Sequence, residues 1–78
     1  MKRNKKTLET DEGYLMLVDN LNKTTAELNI TYTNLQNVVE PDLIDYYIYH
    51  AKAIQMRYKY LLESVKKIED SYAKNPLS

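Results

Sequence analysis

The sequence predicts an all-α protein, an antiparallel two-helix hairpin that packs like a coiled coil and self-associates into a helical bundle. Apolar residues recur in steps of three and four through both halves of the chain, as on one face of a helix. Pro41 separates the two halves, and helices joined by a short turn pack as antiparallel neighbours. A chain of 78 residues is long enough for one domain.

Residues 1–10 are predicted to form a flexible, basic N-terminus without apolar periodicity. Its basic residues are Lys2, Arg3, Lys5 and Lys6. We expect Thr10 to cap the first helix, because Asp11 and Glu12 would then lie in its first turn, where negative charge is favourable. Thr7 is the alternative cap. The hairpin itself is expected to span residues 11–74.

The first helix is predicted over residues 11–38 from a regular apolar repeat. The repeat comprises Tyr14, Val18, Leu21, Thr25, Leu28, Tyr32, Leu35 and Val39, and Leu17 and Val38 widen it. Residues 28–33 alternate between apolar and polar as a strand would. We favour the helix, because the repeat continues through this segment and a lone strand would have no partner. Its many Asn and Thr residues are mediocre helix formers, so this helix needs its neighbour in order to fold.

The turn is predicted at residues 39–40, the second helix at 41–74 and a C-terminal tail at 75–78. Pro41 suits the first helical position, where its missing N–H is not needed. The second repeat comprises Ile44, Tyr47, Ala51, Ile54, Tyr58, Leu61, Val65, Ile68 and Tyr72, and Ile48 and Leu62 broaden it. Glu40, Asp42 and Asp45 are interpreted as residues that favour the helix start rather than as a metal site.

Five further residues of the second helix form a separate stripe, which we call the outer face. They are Tyr46, Tyr49, Ala53, Met56 and Tyr60, again in steps of three and four, and Arg57 flanks them. At about 100° per residue they lie on a different side of the helix from the first repeat. A hairpin can bury only one side of this helix, so we predict that the outer face, together with Arg57, is an interaction surface.

Several occupants could cover the outer face. A second copy of the chain, which would give a four-helix bundle, is the favoured one. The others are a different protein, the N-terminal segment with Leu8, or single-stranded nucleic acid stacked on the tyrosines beside Arg57. Eleven basic and eleven acidic residues cancel, and this argues against nucleic acid.

Composition favours a non-enzymatic cytoplasmic protein that needs no cofactor or metal. No cysteine is present, His50 is the only histidine, and Gly13 is the only glycine, so no thiolate site or phosphate-binding glycine loop can be built. We can name no set of nucleophile, base and oxyanion donor. No apolar run approaches the ~20 residues that a membrane span requires. We therefore predict a protein–protein interaction or regulatory module, with a weak nucleic-acid-binding accessory protein as the alternative.

Residues 41–62 resemble the YaaL-like family, small bacterial proteins of unknown function found mainly in Gram-positive Firmicutes. The residues that carry the resemblance are Pro41, Asp42, Leu43, Ile44, Asp45, Tyr46, Ile48, Tyr49, Lys52, Ala53, Arg57, Tyr58, Tyr60, Leu61 and Leu62. Glu40 replaces the usual aspartate before the proline, and Tyr47 stands where a small residue is more typical. The resemblance implies a cytoplasmic bacterial protein and no particular activity.

Overall fold

Two long helices make up nearly all of the computed structural model, which describes residues 7–74. A 3-10 turn at Leu8–Thr10 precedes helix α1, Glu12–Asn37, and helix α2 spans Pro41–Lys74. The helices pack against each other as an antiparallel hairpin, so the predicted all-α hairpin is confirmed. Residues 28–33, whose alternation is typical of a strand, are helical. The flexible N-terminus was predicted for residues 1–10; of these, 1–6 lie outside the described residues and Leu8–Thr10 form the 3-10 turn.

Helix α1 begins one residue later than predicted, because Asp11 rather than Thr10 is its N-cap. The Asp11 carboxylate accepts a hydrogen bond from the backbone N–H of Tyr14 at 3.0 Å. The Thr10 hydroxyl is used in the preceding turn, where it accepts from the backbone N–H of Thr7 at 3.1 Å. A carboxylate cap adds negative charge at the positive end of the helix, which a threonine cap cannot do.

The turn at residues 38–40 closes both helices with backbone hydrogen bonds. The N–H of Val38 donates to the carbonyl of Asn34 at 3.1 Å, and the N–H of Ile44 donates to the carbonyl of Glu40 at 3.0 Å. Pro41 is the first residue of α2, the position at which a proline loses no helical hydrogen bond.

The seam, as we call the inward side of the hairpin, follows the predicted repeat on α2. All nine residues of that repeat are buried or partly buried. The buried apolar residues are Ala51, Ile54, Leu61 and Val65, with exposures of 2–7%. The nine-residue repeat on α2 was therefore predicted correctly, whereas Ile48, which we expected to broaden it, is 38% exposed.

On α1 the seam is rotated from the prediction by about one residue in two of its turns. Thr24 and Thr31 are buried, each 3% exposed, whereas Thr25, Tyr32 and Val39, which we placed on the seam, are exposed. The leucines of α1 account for this rotation of the helix about its axis. Leu17, Leu21, Leu28 and Leu35 are all partly buried, and in steps of four and three with Thr24 and Thr31 they form one inward line.

The two buried threonines keep their hydroxyl groups satisfied within α1. Thr24 donates to the carbonyl of Asn20 at 2.7 Å, and Thr31 donates to the carbonyl of Glu27 at 2.9 Å. No buried side-chain polar atom within residues 7–74 lacks a hydrogen-bond partner. A polar residue on the seam therefore avoids the ~1–3 kcal/mol cost of an unsatisfied buried group.

Candidate interaction surface

The outer face lies on α2, on the side that α1 does not cover. The exposed fraction is 54% for Tyr46, 70% for Tyr49, 73% for Met56 and 67% for Tyr60. Ala53, in the middle of this row, is also exposed. Buried seam residues such as Ile54 and Leu61 directly follow exposed outer-face residues along the helix. The helix therefore separates the two sets as its 3.6-residue turn requires.

The exposed area of this face is large for a single row of side chains. A fully buried aromatic residue covers 150–250 Å², so four large residues exposed to 54–73% leave on the order of 500 Å² uncovered. The largest apolar patch of a typical soluble monomer is about 300–600 Å² and is often functional. The outer face therefore has the size of a binding patch and is more than a few scattered apolar residues.

Arg57 stands at the edge of the outer face and is held by α1. Its guanidinium forms an ion pair with the carboxylate of Glu27. The Arg57 side chain remains 50% exposed. Through this ion pair Arg57 joins the two helices. By its position on α2 it also borders the outer face.

Tyr46 is oriented by aromatic neighbours on its own helix. Its ring stacks on the imidazole of His50, with 5.6 Å between ring centres and 9° between planes, and meets Tyr47 edge-on at 5.0 Å. The Nε2 atom of His50 lies 3.8 Å from a carboxylate oxygen of Glu27. These contacts restrict the rotation of the Tyr46 ring. Packing against this ring would therefore cost less side-chain entropy than packing against a freely rotating one.

Two other tyrosines tie the open end of the hairpin and do not belong to the outer face. The Tyr14 hydroxyl donates to Glu69 at 2.8 Å, and the Tyr72 hydroxyl donates to Asp11 at 2.8 Å. The two bonds run in opposite directions between the helices. Each hydrogen bond to a carboxylate, followed by desolvation and the nearby negative charge, raises the pKa of its tyrosine above the ordinary value of 10.0.

Helix α1 adds exposed apolar residues that the sequence repeat did not reveal. Met16 is 67% exposed and Ile30 is 62% exposed. Ile30 lies three residues after Glu27 and is thus on the same side of α1 as the contact with Arg57. Neither residue belongs to the predicted repeat. The packing of the hairpin shows that Ile30 lies on the Arg57 side.

A match to a known family covers most of the chain. Residues 1–69 match the family described as "Protein of unknown function (DUF2508)", which corresponds to the YaaL-like family. The chain belongs to this family. The resemblance seen in residues 41–62 is thereby confirmed, and the match extends across α1 as well. No curated protein and no solved structure matches the chain.

Apart from the outer face, the surface of this DUF2508 protein has a groove, and its two cationic side chains are paired with carboxylates. The groove of about 380 Å³ between the helices is lined by Asn20, Lys23, Thr24, Glu27, Arg57 and Leu61. Lys23 pairs with Asp19 at 3.0 Å, and Arg57 pairs with Glu27, so its cations are already neutralised. Across residues 7–74, no group of three or more metal-binding side chains forms, and no helix is long and apolar enough to cross a membrane.

Proposed function

We propose that this DUF2508 protein is a non-enzymatic protein–protein interaction module that self-associates into a helical bundle through the outer face. The observation that carries the proposal is the exposure of Tyr46, Tyr49, Met56 and Tyr60, 54–73% each, in one row on a helix whose other side is buried. Large aromatic side chains and methionine are enriched in interfaces. A short chain without cysteine also fits the reducing cytoplasm, where we infer that it acts.

The small core of the hairpin supports association. Within the described residues, only four apolar residues are buried, namely Ala51, Ile54, Leu61 and Val65. Domains of this size are marginally stable on one core, and many are stabilised by oligomerisation. Covering the outer face would bury on the order of 500 Å² of additional surface per copy, which at about 25 cal/mol per Å² offsets part of the entropy of ordering two helices.

Nucleic-acid binding, the alternative function, has less support. Stacking of bases on tyrosines requires neighbouring cations to meet the phosphates. Arg57, which flanks the outer face, forms an ion pair with Glu27, and the whole chain carries no net charge. Retention on a nucleic-acid column that falls steeply with salt would favour this alternative. Retention that does not depend on salt would remove it.

Sedimentation equilibrium over a wide range of protein concentration tests the proposal. We expect the wild type to form a dimer or larger species. Tyr49→Ala and Tyr60→Ala should each weaken association by about 30-fold or more, because a central aromatic anchor contributes about 2 kcal/mol or more to binding. Far-UV circular dichroism should show that both variants remain helical, since neither residue lies on the seam.

Lys59→Ala is the matched control, because Lys59 is exposed and adjacent to Tyr60 but lies outside the outer face. It should sediment as the wild type does. A wild-type protein that remains monomeric at high concentration would contradict the proposed self-association. Equal association of the wild type and both tyrosine variants would show that another surface is used.

A further inference from the structure

The two ends of the stripe that contains the outer face carry different charges, and this difference indicates how a second copy would lie on it. We propose that two copies pack antiparallel along α2, with the two-fold axis passing midway between Ala53 and Met56. This inference rests on the self-association proposed above and specifies the partner surface residue by residue.

The stripe that contains the outer face continues past both of its ends, and the two continuations carry opposite charge. Asp42 lies four residues before Tyr46, and Lys67 lies seven residues after Tyr60, both in phase with the steps of three and four. Both residues are exposed. The stripe therefore runs from an acidic end near the turn, through an aromatic centre, to a basic end near the open end of the hairpin.

An antiparallel pair with this axis brings three pairs of stripe residues level with complementary ones, whereas Tyr46 comes level with Glu63, outside the outer face. Ala53 comes level with Met56 of the second copy, so that the smallest side chain of the row faces a long and adaptable one. Tyr49 comes level with Tyr60 of the second copy, and aromatic pairs of this kind contribute beyond the area they bury. Each contact occurs twice, because a two-fold interface uses the same patch on both copies.

The charged ends also become complementary in this arrangement. Asp42 comes level with Lys67 of the second copy, and the symmetry repeats this pair at the other end of the interface. Charge complementarity of this kind chiefly determines orientation and register. The net charge of +0 means that two copies carry no overall repulsion to overcome.

A parallel pair would bring identical residues together. Asp42 would face Asp42 and Lys67 would face Lys67 of the second copy, and like charges across an interface oppose association. Ala53 would face Ala53, which leaves a gap between the large residues on either side. The same stripe therefore disfavours the parallel arrangement at its two ends and at its centre.

The large side chains of the outer face supply more than half of the area that a standard dimer interface needs. The four large side chains of the outer face expose on the order of 500 Å², whereas a standard interface buries about 800 Å² per partner. The rest would come from flanking residues where the two α2 helices overlap from Asp42 to Lys67. This stretch is about 38 Å long at 1.5 Å per residue.

Cysteine crosslinking tests the arrangement directly, because the natural chain contains no cysteine and each introduced thiol is therefore the only one. Asp42→Cys and Lys67→Cys are prepared separately and mixed in equal amounts under oxidising conditions, and the products are identified by mass. We expect a mixed disulfide dimer of one variant with the other, in up to about half of the dimers. Either variant alone should give none, because identical positions would lie about 38 Å apart along the helix.

Thr33→Cys mixed with Lys67→Cys is the control, since Thr33 is exposed on α1 and lies away from the seam; this mixture should not crosslink. A disulfide dimer of Asp42→Cys with itself would overturn the inference in favour of a parallel pair. Absence of any crosslink while sedimentation shows dimers would also overturn it, but would leave self-association standing. A monomeric wild type would instead refute the proposed function itself.

Discussion

The seam and the outer face of α2 have the same residue spacing and opposite environments. Ala51, Ile54 and Leu61 on the seam are 2–7% exposed, whereas Tyr49 and Tyr60 on the outer face are 70% and 67% exposed. Both rows follow steps of three and four along the same helix. The difference arises because α1 can cover only one side of α2, and the side that α1 covers becomes the core of the hairpin.

The comparison shows what a repeat can and cannot predict. A repeat indicates that a row of apolar side chains shares one side of a helix. It does not say whether the covering surface comes from the same chain or from another molecule. Substitutions that affect folding when placed on the seam, and association when placed on the outer face, distinguish the two.

The largest effect is expected from a charge placed on the seam. Thr31 is 3% exposed, so Thr31→Asp should bury an uncompensated carboxylate and destabilise the fold by about 3–5 kcal/mol. Thr33→Asp, two residues away on the exposed side of the same helix, should change stability by about 0.5 kcal/mol or less. Urea unfolding of both variants measures the contrast. Similar losses would mean that Thr31 does not lie on the seam.

A cavity on the seam should come next. Leu61 is 7% exposed, and Leu61→Ala should cost about 2–5 kcal/mol through lost contacts and the space left behind. Tyr60→Ala, at the neighbouring position on the outer face, should cost far less when measured at a concentration at which the protein is monomeric. Thermal melts followed by circular dichroism compare them. An equally large loss for Tyr60→Ala would place that side chain in the core.

A smaller effect is expected at the open end of the hairpin, at high pH. The pKa values of Tyr14 and Tyr72 are raised above 10.0 by their hydrogen bonds to carboxylates. A group whose pKa is higher in the folded state stabilises the fold fully below its unfolded value, and this stabilisation is lost as pH rises through the folded value. The free energy of unfolding should therefore fall above pH 10.

A variant that carries Tyr14→Phe and Tyr72→Phe together should be less stable at neutral pH and should lose less stability between pH 9 and pH 11. Tyr49→Phe is the control, because Tyr49 is 70% exposed on the outer face and it should keep the wild-type pH dependence. Identical pH profiles for the double variant and the wild type would show that these two bonds do not contribute.

Most of the fold was predictable because its signals are local. The repeat on α2 and the proline at position 41 are sufficient to predict a hairpin. The place of Pro41 at the first helical position follows from its missing N–H. The rotation of α1 was not predictable in the same way. Thr24 and Thr25 are identical residues at adjacent positions, and only the packing of the leucines against α2 decides which of them is buried.

The exposure of the outer face was predictable from the helical spacing, whereas the contacts of the residues beside it were not. The outer-face residues stand exposed where the helical spacing placed them. That Arg57 is held by Glu27 depends on which residues of α1 and α2 come level in the hairpin, a property of the register rather than of either helix. The N-cap is Asp11 rather than the predicted Thr10, because the Thr10 hydroxyl is hydrogen-bonded within the 3-10 turn.

Thermal melts over about a hundredfold range of protein concentration test most directly the claim that the outer face is covered by association. A partner that binds only the folded state stabilises it by mass action. We expect the Tm of the wild type to rise with concentration and that of a variant with both Tyr49→Ala and Tyr60→Ala to stay constant. A wild-type Tm that does not depend on concentration would contradict the account, because the exposed row on α2 would then contribute nothing to stability through self-association.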